Sequence, residues 1–135
     1  MTDYLLDTSM CIEMIRKRSE AAMERLRNCP PGTAGISAIT LAELQYGASR
    51  SRDPERNSMA LREFCGPLRI LEFDERAAGA YGAVRSALEA EETPIGPLDT
   101  LIAAHALSEG ALLVTANERE FARVAGLRVA NWART

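Results

Sequence analysis

Short apolar runs alternate along the chain with longer segments in which apolar residues recur at helical spacing. The short runs predict five strands, which cover residues 4–6, 34–37, 68–73, 111–114 and 127–129. The longer segments predict helices, and the clearest helix face is the stripe Ala77, Ala80, Tyr81, Val84 and Leu88. Strands that are separated by helices and built from near-continuous apolar runs are typical of parallel sheets. The pattern therefore predicts an α/β fold whose central, mostly parallel β-sheet is covered on both faces.

Capping residues and chain breakers set the limits of the predicted helices. Thr8 and Ser9 predict the start of a helix that runs to about Lys17. The prolines and glycines within 28–32 and 93–97 predict loops, because both residue types interrupt regular structure.

The chain has 135 residues, of which 47% are hydrophobic and 26% charged. This balance predicts one globular domain, residues 1–135, because two separate cores would each have too little to bury. No apolar run reaches the roughly 18 residues that cross a bilayer. Residues 1–7 lack the basic and apolar regions of an export signal, so we expect a cytoplasmic protein without a membrane partner.

Acidic residues fall where predicted strands end or helices begin. Asp7 directly follows the first strand, Glu43 lies on the helix after the second, and Asp99 lies in the first turn of a helix. Asn117 and Glu120 follow the fourth strand. Ligands of open α/β sheets bind at the carboxyl ends of the strands, so these side chains could gather there. Taken singly, Asp7 could instead be an N-cap, Asp99 a partner of the helix dipole, and Glu43 a surface charge.

Carboxylates that converge in one site require a cation, because like charges cannot all stay ionised there. Oxygen ligands without His or Cys favour Mg²⁺ or Mn²⁺ over zinc, and such a site suits phosphodiester hydrolysis. Ser9 and Thr115 are predicted to support the carboxylates with their hydroxyls, although helix capping would explain Ser9 equally well. His105 lies about 240° around its helix from Asp99, so it is predicted to pack rather than to act as a base.

Four segments carry a resemblance to a known family. They are Leu5-Leu6-Asp7-Thr8-Ser9 and the stretches 37–47, 96–106 and 113–121. In this order and at this spacing they resemble PIN-domain proteins, and most closely the VapC toxins of VapBC toxin–antitoxin pairs. The tail at 124–132 is also similar to that family, so that the resemblance spans nearly the whole chain.

The resemblance implies a three-layer α/β/α fold and a metal-dependent endoribonuclease. It implies that Asp7 and Asp99 bind Mg²⁺ or Mn²⁺ and that Glu43 completes the acidic cluster. It further implies an RNA substrate of the tRNA or rRNA class, a VapB-like antitoxin that blocks the site, and commonly a homodimer. Many PIN domains have aspartate at the position of Asn117, whereas VapC-like relatives often have Asn there and an acid three residues later. Glu120 is therefore assigned as the fourth acid, and Asn117 as a neutral ligand or a group that positions water.

Basic side chains near the predicted acidic edge are candidates for RNA contacts, although charge runs are more often simply solvated. The candidates are Arg16, Lys17, Arg18, Arg50, Arg52, Arg56 and Arg119. The formal net charge is −3, and four of the negative charges are the proposed site acids. The remaining chain is nearly neutral, which predicts weak, metal-dependent and salt-sensitive RNA binding instead of a broad basic groove. Gly47, one turn after Glu43, either admits another chain or makes a plain helix–helix contact.

Other functions compete with this interpretation. A haloacid-dehalogenase-like phosphatase also has an Asp after its first strand, but it needs a second Asp two residues later, where this chain has Ser9. A non-catalytic PIN-like binding module typically lacks a key acid, whereas Asp7, Glu43 and Asp99 are all present. A housekeeping PIN nuclease without an antitoxin is the third alternative.

Overall fold

Within residues 2–134, which the computed structural model describes, five short strands form one wholly parallel sheet. The strands are β1 (Tyr4–Leu6), β2 (Ala34–Ser37), β3 (Arg69–Leu71), β4 (Leu112–Val114) and β5 (Val129–Ala130). Their order across the sheet is β3-β2-β1-β4-β5. The chain builds outward from β1 to β3 and then returns to the other side of β1 with β4. A topological switch point therefore lies between β1 and β4, where sheets of this type bind their ligands.

Seven helices in the same part of the chain connect and flank these strands. They are α1 (Thr8–Ile15), α2 (Glu20–Arg27), α3 (Ala38–Ser49), α4 (Pro54–Cys65), α5 (Glu75–Ala90), α6 (Pro97–Glu109) and α7 (Glu118–Phe121). None of these helices is both long and apolar enough to span a bilayer.

The first helix differs from its predicted limits at both ends. Its N-cap is Asp7, whose carboxylate accepts a hydrogen bond from the Met10 amide, so the predicted cap at Thr8 and Ser9 is wrong. The helix ends at Ile15 instead of continuing to Lys17. Lys17 has a φ of +56°, a left-handed conformation that ends a right-handed helix.

Two hydrophobic cores lie on opposite faces of the sheet. Leu5 and Leu113 face one core, which contains residues of α5 and α6. Leu6 and Val114 face the other core, to which α1, α2 and α4 contribute. Neighbouring strand residues point to opposite faces, which is why the central strands β1 and β4 are apolar on both faces. The predicted three-layer α/β/α fold is confirmed, and its sheet is entirely parallel instead of mostly so.

The edge strands are shorter or shifted relative to their apolar runs. β3 covers Arg69–Leu71 and not 68–73, because it pairs with only three residues of β2. β5 covers Val129–Ala130, so it starts two residues after its predicted start and ends one residue later, since its register is set by pairing with Leu113 and Val114. At Gly35 a Cβ atom would lie 2.7 Å from the Arg69 carbonyl oxygen, so β2 and β3 can approach only because this residue is glycine.

Candidate active site

Asp7 lies at the switch point, directly after β1 and beside the end of β4. Its side chain is almost fully buried. Oδ1 accepts a hydrogen bond from the Met10 amide at 2.8 Å, and Oδ2 accepts one from the Thr115 hydroxyl at 2.5 Å. Thr115 follows β4, so this second contact joins the two halves of the sheet. Asp7 is therefore both an N-cap and a fixed carboxylate at the switch point, and the first role does not exclude the second.

The two predicted supporting hydroxyls both contact Asp7. The Ser9 hydroxyl lies 2.8 and 2.9 Å from the two carboxylate oxygens of Asp7, to which it donates, and it accepts a hydrogen bond from the Ala116 amide at 3.1 Å. Ser9 lies inside α1, and helix capping does not explain it. While it donates to Asp7, the Thr115 hydroxyl accepts from the Asn117 amide at 2.9 Å.

Glu43 is positioned by α3 and by a contact that sequence reasoning missed. The Thr8 hydroxyl donates to Glu43 Oε1 at 2.6 Å. Since Thr8 follows Asp7 in the chain, this hydrogen bond sets the direction of Glu43 relative to Asp7. The sequence predicts Thr8 only as a capping residue, although it lies in the same short motif as Asp7 and Ser9.

Asp99 and Glu120 form a second pair of carboxyls. Asp99 lies in the first turn of α6, and Glu120 lies on α7. Glu120 Oε1 accepts a hydrogen bond from the Gly96 amide at 3.2 Å, another contact that the sequence did not reveal. A Cβ atom at Gly96 would lie 3.6 Å from Asp99 Oδ2 and 4.0 Å from Glu120 Oε1. The structure thus brings Glu120 against Asp99, whereas the Asn117 side chain is exposed and makes no capping hydrogen bond.

The charges of the four acids act on one another. The pKa of Asp99 is raised from 3.8 to about 7, first by burial and then by the charge of Glu120 and a hydrogen bond with it. The charges of Asp7 and Glu43 raise this pKa further. Burial also raises the pKa of Asp7, and the charge of Glu43 adds to that effect. All four acids predicted from the sequence therefore lie in one electrostatic cluster, which we call the acidic cluster.

The donor chemistry of the acidic cluster fits Mg²⁺ or Mn²⁺. Its charged donors are carboxylate oxygens, which these hard cations prefer. In the described range 2–134, no three His, Cys, Asp or Glu side chains converge closely enough to surround an ion by themselves. Mg²⁺ usually takes only one or two carboxylates and completes its shell with water and substrate phosphate. A divalent charge would also offset the repulsion that raises the pKa of Asp99.

His105 is part of the core. It is buried, its Nδ1 and the Ser37 hydroxyl share a hydrogen bond of 2.8 Å, and its ring packs edge-on against Phe73. Burial lowers the pKa of His105. The prediction that this residue packs is confirmed.

Gly47 borders an open groove, so a plain helix–helix contact at this position is excluded. A Cβ atom there would meet nothing within 4 Å. The groove has a volume of about 200 Å³ and is lined on one side by Glu43 and Arg16. Its apolar lining consists mainly of Ile12, Ile15, Leu44, Ala48 and Leu61.

The basic candidates for RNA contact lie in three places. Arg16, Lys17 and Arg18 follow α1. Arg50, Arg52 and Arg56 surround the connection between α3 and α4, and Arg119 lies on α7 beside the acidic cluster. All seven are exposed, and Arg50 also donates to the Tyr46 hydroxyl at 2.9 Å. Of these candidates, Arg119 alone shares an element with one of the four acids.

A family model described as the PIN domain matches residues 4–127. This chain belongs to the PIN-domain family. The chain is 41% identical over 133 residues to the tRNA(fMet)-specific endonuclease VapC of Shigella flexneri, a match that covers 98% of this chain and 100% of the relative. It is 42% identical over 132 residues to Ribonuclease VapC2 of Haemophilus influenzae strain Rd, covering 98% of this chain and 99% of that relative. The resemblance to the VapC proteins is confirmed.

Solved structures agree with the fold of the PIN domain. A DNA-bound VapBC structure from Salmonella typhimurium superposes with a TM-score of 0.93 at 42% identity, covering 98% of this chain and 99% of the other. VapBC2 of Rickettsia felis, bound to a promoter DNA fragment, gives a TM-score of 0.90 at 39% identity, with coverages of 97% and 99%.

Without metal, the stability of this PIN domain should fall as pH rises from about 4 to about 7. Asp99 has a pKa of about 7 in the folded protein and an ordinary value of 3.8, so the folded state binds more protons over this range. A shift of one pKa unit corresponds to at most about 1.4 kcal/mol, and solvent screening of the half-exposed Asp99 carboxyl makes its contribution to stability smaller than that. In EDTA, Asp99→Asn should therefore raise the melting temperature at pH 8 by a few degrees and change it little at pH 4.

The control for this experiment is Glu75→Gln, which replaces another first-turn acid on the exposed surface of α5. Its difference in melting temperature between pH 4 and pH 8 should equal that of the wild type. If Asp99→Asn also leaves that difference unchanged, Asp99 does not hold a proton in the folded protein.

Proposed function

We propose that this PIN domain is a metal-dependent endoribonuclease and the toxin of a toxin–antitoxin pair. The observation that carries the proposal is the convergence of four carboxyls, from four separate chain segments, at the switch point between β1 and β4. The pKa of Asp99 is raised by burial and then by the charges of the other three acids, and a divalent cation would relieve this crowding of negative charge. The names of its relatives, an endonuclease and a ribonuclease, support the same activity.

The four acids have two kinds of proposed role. Asp7 and Asp99 would bind Mg²⁺ or Mn²⁺ directly, while Glu43 and Glu120 would hold water molecules around the ion. When bound, the ion neutralises charge at the scissile phosphate and lowers the pKa of the attacking water. Near pH 7 and without the ion, Asp99 would hold a proton for part of the time, and that proton would leave when the ion binds.

The hydroxyls around the acids keep them in fixed directions. Ser9 and Thr115 donate to Asp7, and Thr8 donates to Glu43. Because these carboxylates are oriented before any substrate arrives, little reorganisation is needed during reaction. Asn117 stays a predicted water-positioning group at the rim of the site.

The relatives also suggest the substrate class and the partner. The Shigella flexneri relative is named as tRNA(fMet)-specific, and the Salmonella typhimurium and Rickettsia felis structures are VapBC complexes. We extend to this chain a structured RNA of the tRNA or rRNA class and a VapB-like antitoxin. The open apolar groove beside Gly47 reaches Glu43, so an antitoxin segment bound there would cover the acidic cluster. A homodimer and a cytoplasmic place of action complete the proposal and rest on the family resemblance.

Induced expression of this chain without an antitoxin is expected to arrest bacterial growth. Expression of Asp99→Asn to the same level should not, because one of the two direct metal ligands is lost. Colony counts after induction, together with a gel assay of purified protein on tRNA, measure the two effects. Harmless expression of a protein that cleaves RNA in vitro would indicate a housekeeping nuclease, and failure to cleave with either metal would indicate a binding module.

A further inference from the structure

A second cavity opens next to the acidic cluster, and Glu120 is one of its lining residues. It has a volume of about 520 Å³ and lies between the loop at 94–96 and the segment 116–120. Pockets of about 300–1,000 Å³ are typical of ligand sites. Gly96 lines this cavity and also lies beside the carboxyls of Asp99 and Glu120, so the cavity and the acidic cluster share a border. We call this cavity the Arg119 cleft.

Three guanidinium groups line the Arg119 cleft. They belong to Arg119, Arg123 and Arg134. A guanidinium nitrogen of Arg134 lies 3.3 Å from Glu118 Oε1, and Arg123 donates to the Pro94 carbonyl at 3.1 Å. Arg119 makes no ion pair and no hydrogen bond through its side chain within residues 2–134, and Arg123 has no carboxylate partner in that range. The cleft therefore presents two positive charges that no carboxylate neutralises.

The acids that line the cleft are engaged by other groups than Arg119 and Arg123. Glu118 is paired with Arg134, and Glu120 is bonded to the Gly96 amide and held against Asp99. A cavity that carries uncompensated guanidinium groups and borders an acidic cluster is suited to an anion next to a metal site. Guanidinium binds phosphate through two parallel hydrogen bonds, so a phosphate is the anion that fits best.

We propose that the Arg119 cleft binds an RNA phosphate that flanks the scissile one, with Arg119 and Arg123 as its contacts. This inference rests on the proposed ribonuclease function and adds a substrate subsite outside the acidic cluster. An RNA chain with its scissile phosphate at Asp7 and Asp99 would carry a neighbouring phosphate across the Gly96 border. Because both arginines act away from the reacting atoms, they contribute to binding equally in the ground state and the transition state.

The test uses Arg119→Gln and Arg123→Gln, singly and together, in the full chain. The matched control is Arg128→Gln, because Arg128 is also exposed and also donates to a backbone carbonyl, that of Gly110, at the opposite end of β4. Cleavage of an RNA oligonucleotide in Mg²⁺ gives KM and kcat. Fluorescence anisotropy of the same oligonucleotide, in an Asp99→Asn background that does not cut it, gives the dissociation constant as a function of salt.

We expect the double variant to raise KM about tenfold while kcat changes less than about twofold. The slope of log K against log salt should fall by about 1 for each arginine removed. Arg128→Gln should change neither quantity. Arg119 makes no side-chain hydrogen bond within residues 2–134, so Arg119→Gln removes no structural contact there, and an unchanged melting temperature verifies this.

An unchanged KM and salt slope in Arg119→Gln would overturn the inference. A fall in kcat at constant KM would overturn it as well, because the arginines would then act on the transition state. Failure of the wild-type protein to cleave any RNA in Mg²⁺ or Mn²⁺ would refute the proposed function itself, and the wild type alone reports that outcome.

Discussion

Replacing Asp7 with asparagine is expected to slow RNA cleavage by about 10²–10³-fold while the protein stays folded. The variant loses a carboxylate that would bind the metal ion, and removing one well-placed electrostatic group from an active site typically costs about 10²–10³ in rate. The fold should tolerate the change, because asparagine is as good an N-cap as aspartate. Its Oδ1 can still accept the hydrogen bond that the Met10 amide gives to Asp7.

The stability of this variant should equal or exceed that of the wild type in the absence of metal. Burial and the charge of Glu43 both raise the pKa of Asp7, so the ionised carboxylate is in an unfavourable environment. The amide removes that charge. Melting temperatures in EDTA and single-turnover cleavage in Mg²⁺ separate the effect on folding from the effect on chemistry.

Asp74→Asn is the matched control for this experiment. Asp74 is also an N-cap, and its carboxylate accepts from the Ala77 amide at 3.0 Å at the start of α5. It is exposed and lies outside the acidic cluster. Its variant should cleave at the wild-type rate, and undiminished cleavage by Asp7→Asn would show that Asp7 is not part of the active site.

Chelation of divalent metal is expected to abolish cleavage, and Mg²⁺ or Mn²⁺ should restore it. The reason is that the four acids repel a phosphate unless a cation lies between them. Zn²⁺ should restore less activity, because it prefers the nitrogen and sulfur ligands that this cluster lacks. RNA cleavage is measured after treatment with EDTA and dialysis, with each metal added back.

Two further observations sharpen the metal experiment. Mg²⁺ should raise the melting temperature of the wild type and much less that of Asp99→Asn, since a ligand that binds only the folded state stabilises it. RNA binding should weaken in EDTA. Cleavage that persists in EDTA, or tight RNA binding after chelation, would reject the metal mechanism.

The sequence was sufficient to predict the acids that lie next to regular structure. Asp7 follows an apolar run and Asp99 lies in the first turn of a helix. Ligands of parallel sheets bind at the carboxyl ends of the strands, so both residues could be assigned to that edge. Local patterns also indicated the central strands β1 and β4, because both are apolar on both faces. The edge strands β3 and β5 were harder, since pairing with a neighbour, and not their own residues, determines where they end.

Contacts between distant segments could not be predicted from local patterns. The position of Glu120 next to Asp99 depends on the loop that brings the Gly96 amide to the Glu120 carboxylate, and no local pattern predicts that contact. Thr8 was predicted only as a helix cap, because its contact with Glu43 depends on how α1 packs against α3. Arg134 reaches the Arg119 cleft only because the end of the chain folds back to Glu118.

The hydrogen bonds that hold Asp7 also join the two halves of the sheet. Thr115 and Ala116 belong to the segment after β4, and each is linked to the β1–α1 junction through Asp7 or Ser9. Moving Asp7 out of place would therefore break hydrogen bonds at the centre of the sheet, where local opening of a fold costs most. We therefore expect a partner that silences the site to cover it and leave Asp7 in place, so that activity returns when the partner dissociates.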